Sequence, residues 1–118
     1  MIYCADLCFL ADRICKITYI EHSRESFEYV IEPNYNVINS LHGFHGIPGI
    51  DLSLHKDRYV RKRILPVLIG ERIPLPGNNH FQQTIRINGM CPLEYLTRCE
   101  KEYFGDLFVF RVCSPEAT

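Results

Sequence analysis

Over roughly the first 55 positions, apolar and polar residues alternate in short runs, the period of half-buried strands. The remainder reads as helices closed by one last strand, Leu107-Phe108-Val109-Phe110. Ala5 to Leu10 and Ile14 to Ile20 predict a hairpin joined by Ala11-Asp12-Arg13. In its second arm Cys15, Ile17 and Tyr19 alternate with Ile14, Lys16, Thr18 and Ile20, so one face is apolar. The polar turn Glu21-His22-Ser23-Arg24-Glu25 leads to a third strand, Ser26 to Ile31. There Phe27, Tyr29 and Ile31 share one side, and Glu28 and Val30 the other. Three antiparallel strands with one apolar face are not stable alone, so helices or further strands must cover that face.

The middle of the chain is less regular. Pro33 to Leu41 fits either a helical turn or an extended stretch. His42-Gly43-Phe44-His45-Gly46-Ile47-Pro48-Gly49 is a loop by its glycines and proline, and Ile50-Asp51-Leu52-Ser53-Leu54 alternates like a short strand. His55-Lys56-Asp57-Arg58-Tyr59-Val60-Arg61-Lys62-Arg63 is basic and reads first as a solvated face at the start of a helix, second as a charged rim around a protein interface, and last as a nucleic-acid contact. The apolar run Ile64 to Gly70 is that short helix, with Pro66 in its first turn, where a missing N–H costs nothing. Ile73 to Asn79 is a proline-stiffened loop, followed by a helix from Phe81 to Ile87. Cys91-Pro92 opens a last helix with Leu93, Leu96 and Cys99/Glu100 inward and Tyr95, Arg98 and Glu102 outward. Tyr103-Phe104-Gly105-Asp106 turns into the final strand. The pattern implies one α+β domain over residues 1–113 and a frayed tail over 114–118.

Composition narrows the function classes. The chain has 118 residues, and at that size it buries enough surface for a core without metals or disulfides. A net charge of −1 argues against binding a polyanion by bulk electrostatics. Asp6 and Asp12 interrupt the apolar N-terminal segment, which lacks a basic start, and no apolar run approaches the roughly 20 residues of a membrane span. A cytoplasmic setting with reduced thiols is therefore expected.

Six cysteines (Cys4, Cys8, Cys15, Cys91, Cys99 and Cys113) contain no C-x-x-C pair, which favours small core side chains over a metal site. His42 and His45 stand without carboxylate or thiol neighbours in sequence and read as exposed loop imidazoles. No phosphate-binding glycine loop, zinc-helix motif or nucleophile elbow is present, so neither catalytic residues nor a cofactor or metal site are assigned.

From Phe27 to Val112 the order of elements resembles the N-terminal subdomain of HipA-type toxin kinases and the small stand-alone HipS proteins that correspond to it. Leu52-Ser53-Leu54 is similar to their L-S-L strand, and Leu65-Pro66-Val67-Leu68-Ile69 to their apolar helix of the type F-L-P-x-L-L. Arg72 to Gly77 stands at their proline-containing loop, Cys91-Pro92-Leu93-Glu94-Tyr95-Leu96 at a helix start, and Gly105 to Phe110 at the closing strand. Many relatives carry P-E-G followed by Trp in that loop; this chain has no Trp, and Asn78, Asn79, His80 or Phe81 occupies the region.

The resemblance implies an antiparallel sheet, partly closed and barrel-like, with three short helices packed against it. It also implies a non-catalytic antitoxin or regulatory subunit of a bacterial HipBST toxin–antitoxin system. Such a subunit binds and restrains a HipT-like serine/threonine kinase toxin. It meets DNA only indirectly, through a HipB-like helix-turn-helix protein in the complex, and involves no membrane. The candidate kinase-binding loop comprises Arg72, Ile73, Pro74, Leu75 and Pro76, continuing through Gly77, Asn78, Asn79, His80 and Phe81. Two readings from other classes stand beside it: a small cytoplasmic Cys/His metal-binding or redox protein, and a direct nucleic-acid binder through residues 56–63.

Overall fold

A computed structural model of the chain describes residues 2–23, 26–44, 46–70, 91–98 and 108–113. The expected hairpin is formed by β1 (Ile2–Phe9) and β2 (Asp12–Ser23). Its turn is tighter than the three residues read from the sequence: only Leu10 and Ala11 lie between the strands, and Leu10 takes a left-handed φ of 57°. β3 (Ser26–Pro33) pairs with β2, placing Tyr29 opposite Tyr19 and Ile31 opposite Ile17. β4 (Tyr59–Lys62) extends the sheet beyond β3, and β5 (Phe108–Val112) returns to the other side of β1. Every pairing is antiparallel, and the order is β4-β3-β2-β1-β5. The class is α+β, with β4 and β5 as the outer strands of the described sheet.

A bulge shapes the centre of this sheet. Leu7 faces Cys15, but Cys8 faces Arg13, so Ile14 is an extra residue on β2. Strict alternation would hide only one of two successive side chains, yet Ile14 and Cys15 are both buried, as are Leu7 and Cys8. The Ile14 carbonyl accepts a 2.8 Å hydrogen bond from Asn34 N, which ties the end of β3 to the bulge.

One sheet face carries the core. Ala5, Leu7, Phe9, Ile17, Tyr19, Tyr29, Ile31, Tyr59, Phe108 and Phe110 are all buried there. They are covered by Leu68 and Ile69 of α2 (Val67–Gly70), by Leu93 and Leu96 of α3 (Pro92–Arg98), and by Ile47 and Cys91. α3 lies against β1 and β5, while α1 (Tyr35–Ile38) lies against β2. A hydroxyl relay fixes α3 to the sheet: Thr97 Oγ1 donates to the Glu94 carbonyl at 2.9 Å, leaving it to accept from Tyr3 Oη at 2.6 Å. Aromatic rings fill the rest, with Phe9 edge-on to both Phe44 and Phe108, and Tyr19, Phe27 and Tyr29 in mutual contact.

Three readings of the sequence are corrected. Residues 50–54 do not form a strand: Ile50 bridges back to Ile47, and Leu52–Leu54 is a 3-10 turn. The cause is Asp51, whose carboxylate accepts from both the backbone N and the hydroxyl of Ser53 and pulls the chain into a turn. The basic segment does not begin a helix either; its second half is strand β4. Tyr95 is half-buried and packs against the core rather than pointing away from it. The apolar helix starts at Val67, immediately after Pro66, whose carbonyl accepts from Gly70 N. The expected loop at 73–79, the helix at 81–87, Cys99/Glu100 and the turn at 103–106 lie outside the described residues.

Candidate functional site

The predicted kinase-binding loop, Arg72 to Phe81, lies outside the described residues, as does His45. The basic segment and the six cysteines are largely within them, and the structure treats the two very differently.

The basic segment is stitched down by two tyrosines. Tyr59 is buried, and its hydroxyl donates to the Asp51 carbonyl at 2.7 Å. Tyr35 Oη donates to the Lys56 carbonyl at 2.6 Å, and its ring stacks on His55 at 4.0 Å between centroids. Lys56 Nζ sits 5.8 Å from the centre of the Tyr59 ring. Arg61 donates to the Gly49 and Val60 carbonyls. Thus part of the positive charge that suggested nucleic acid is engaged in holding a loop to the outer strand. Lys56, Arg58, Lys62 and Arg63 remain exposed, on a short strand and its flanks rather than along a helix.

The sheet face opposite the core shows an arrangement that sequence reading did not find. Strand register places Arg111 opposite Asp6, Asp6 opposite Lys16, and Lys16 opposite Glu32. A row of alternating charge therefore crosses β5, β1, β2 and β3. Opposite charges facing one another across strands are mildly favourable, and the alternation leaves no extended field of one sign. Asp6 is only 4% exposed, and Arg13 Nη1 approaches its Oδ1 at 3.6 Å. A cavity of about 230 Å³ lies beside this row, lined by Arg13, Cys15, Lys16, Glu32 and Asn34.

Two register positions from Asp6 and Arg111, Cys4 and Cys113 face each other where β1 and β5 meet. Cys4 Sγ lies 2.7 Å from Cys113 Sγ, and both residues are partly exposed. Burial, then the hydrogen bond and charge of Cys4, push the Cys113 thiol up to about 12; Asp6 adds to the rise and Lys16 opposes it. Cys8, Cys15 and Cys91 behave differently. All three are buried, and burial is the main reason their thiols are raised, to about 12 at Cys15. The reading of cysteine as a core residue therefore holds for these three and fails for Cys4 and Cys113.

Among the described residues, no three His, Cys, Asp or Glu side chains come together as metal ligands. Also among them, no helix is long and apolar enough to cross a membrane. The period-2 pattern does carry a trace of the opposite face, since Cys4, Asp6 and Cys8 occupy alternate positions of β1. Their partners at 111 and 113 emerge only from the pairing of β5 with β1. Compared with protein-family models, curated proteins and solved structures, the chain matches none.

Proposed function

We propose that this chain is a non-catalytic regulatory subunit of the HipS type, which binds a HipT-like serine/threonine kinase toxin and restrains it. The observation that supports this reading is the order of its elements. An antiparallel sheet comes first, then a short apolar helix behind Pro66, then a proline-led helix, and a final strand returns to β1. That sequence of elements is what a detached HipA-type N-terminal subdomain requires. In the same reading the sheet edges curl toward a partial barrel, and DNA is met only through a HipB-like partner. The L-S-L segment departs from the family pattern, being a 3-10 turn here.

Binding rests on the loop from Arg72 to Phe81, whose prolines limit the entropy lost on docking. The test is co-expression with a HipT-like kinase, sought first among the neighbouring open reading frames, followed by co-purification and a phosphorylation assay. A stable complex with lowered kinase activity is expected. Leu75→Asp or Phe81→Asp weakens the complex, whereas Glu25→Gln or Glu116→Gln does not. A kinase that neither co-purifies nor loses activity rules the function out; a complex indifferent to the loop changes rules out the site alone.

A further inference from the structure

We propose that Cys4 and Cys113 form an oxidisable dithiol on the sheet face opposite the core, which a small-molecule disulfide converts into a Cys4–Cys113 disulfide clamping β5 to β1. This inference is independent of the kinase-binding reading. Three observations carry it. The two sulfurs are 2.7 Å apart, so bonding at about 2.05 Å asks for a movement well under ~1 Å. The pair lies one step beyond Ala5 and Val112, which are partners in the β1–β5 ladder, so the backbones are already held at strand spacing. Both residues are partly exposed, whereas Cys8, Cys15 and Cys91 are buried, so an oxidant reaches this pair in preference to those three.

The chemistry balances as two exchanges. One protein thiolate attacks a sulfur of the small disulfide, forming a mixed disulfide and expelling one small thiolate. The second protein thiolate then attacks the bonded protein sulfur and expels the other small thiolate. The two protein thiols lose two electrons and two protons in all. The small disulfide is reduced to two thiols, which take up those electrons and protons. The clamp joins positions 109 residues apart, so nearly the whole chain lies within the covalent loop. Sequence alone gives no reason to pair the fourth residue with the hundred-and-thirteenth.

The test treats the full folded chain with oxidised glutathione, alkylates remaining thiols, and maps the linkages by peptide mass spectrometry. The expected product is monomeric, lighter by two hydrogens, and contains one peptide pair joining Cys4 to Cys113. Dithiothreitol reverses it. Cys4→Ser and Cys113→Ser each abolish the link while retaining the wild-type circular dichroism spectrum, which separates lost chemistry from lost folding. Should either variant fail to fold, alkylation rates on the wild type decide the matter. Cys4 and Cys113 must lose reactivity together as the oxidant is added. The proposal is overturned by glutathione adducts alone, by links between molecules, by a link to a different cysteine, or by two thiols that stay alkylatable.

Discussion

Tyr59 and Asp51 are joined by a 2.7 Å hydrogen bond from a buried phenol to a backbone carbonyl, and that bond anchors the outer strand β4 to the 3-10 turn before it. The same oxygen accepts from Lys56 N at 3.4 Å. Tyr59→Phe keeps the ring and removes both interactions, leaving a carbonyl without its partner. A loss of about 1–2 kcal/mol is expected in urea unfolding. Tyr59→Ala removes the ring as well and is expected to cost about 3–5 kcal/mol. If Tyr59→Phe unfolds at the wild-type midpoint, the phenol contributes packing only.

Backbone conformation separates three turn positions. Gly49 has φ +81°, and a Cβ there would meet Val67 Cβ and Cγ2 at 2.8 Å. Gly43 has φ +75° with open space around it. Gly49→Ala therefore carries both strain and a clash, and is expected to cost about 2–3 kcal/mol, against about 1 kcal/mol for Gly43→Ala. Leu10 is the reverse case, an exposed leucine held at φ 57°. Leu10→Gly relieves the left-handed strain and is expected to be neutral or to stabilise by up to about 1 kcal/mol. Thermal melts of the three variants, ranked against wild type, check the order.

The inner stripe of α3 sets the strength of its docking. Leu93 and Leu96 are fully buried, so replacing either with alanine is expected to cost about 2–5 kcal/mol. Leu54 and Ile64 are more than half exposed, and alanine there is expected to change stability by less than about 0.5 kcal/mol. Equal losses at all four positions in denaturant titrations would mean that the exposed pair is covered in solution.

Alkaline pH is expected to unfold the domain. Burial raises the thiol of Cys15 from 9.0 to about 12 and the phenol of Tyr19 from 10.0 to about 12, and it pushes up Tyr29 as well. For each group the folded chain keeps a proton that the unfolded chain surrenders at lower pH. Stability from these groups is complete below about pH 9 and falls as pH rises toward 12. At Cys15 alone the difference amounts to roughly 4 kcal/mol. Denaturant midpoints measured from about pH 8 to 11 check this; a flat profile across that window contradicts the burial of these groups.

Much of the sheet was legible in the sequence because period-2 alternation survives in β1, β2 and β3. Phe27, Tyr29 and Ile31 fell on the expected side. The helix at Pro92 was legible from its proline and from the spacing of Leu93 and Leu96. Other features depend on information that local pattern lacks. Residues 50–54 alternate like a strand, but one carboxylate two positions before Ser53 redirects the backbone. Tyr59 to Lys62 mixes charge on both faces because it is an outer strand, so its alternation is hidden. The charge row and the Cys4–Cys113 pair join residues from nearly opposite ends of the chain, which only the β1–β5 pairing brings together.

That pairing also has a consequence on the ribosome. β1 is made roughly 100 residues before its partner β5, and its outer hydrogen-bonding edge has no strand beside it until Phe108–Val112 has been synthesised. At about 5–20 residues per second, the delay is on the order of 5–20 s. Throughout that interval the nascent sheet presents a β edge open to other chains. Any stalled or shortened translation product keeps that edge permanently, so premature termination yields a species prone to self-association rather than merely an inactive fragment.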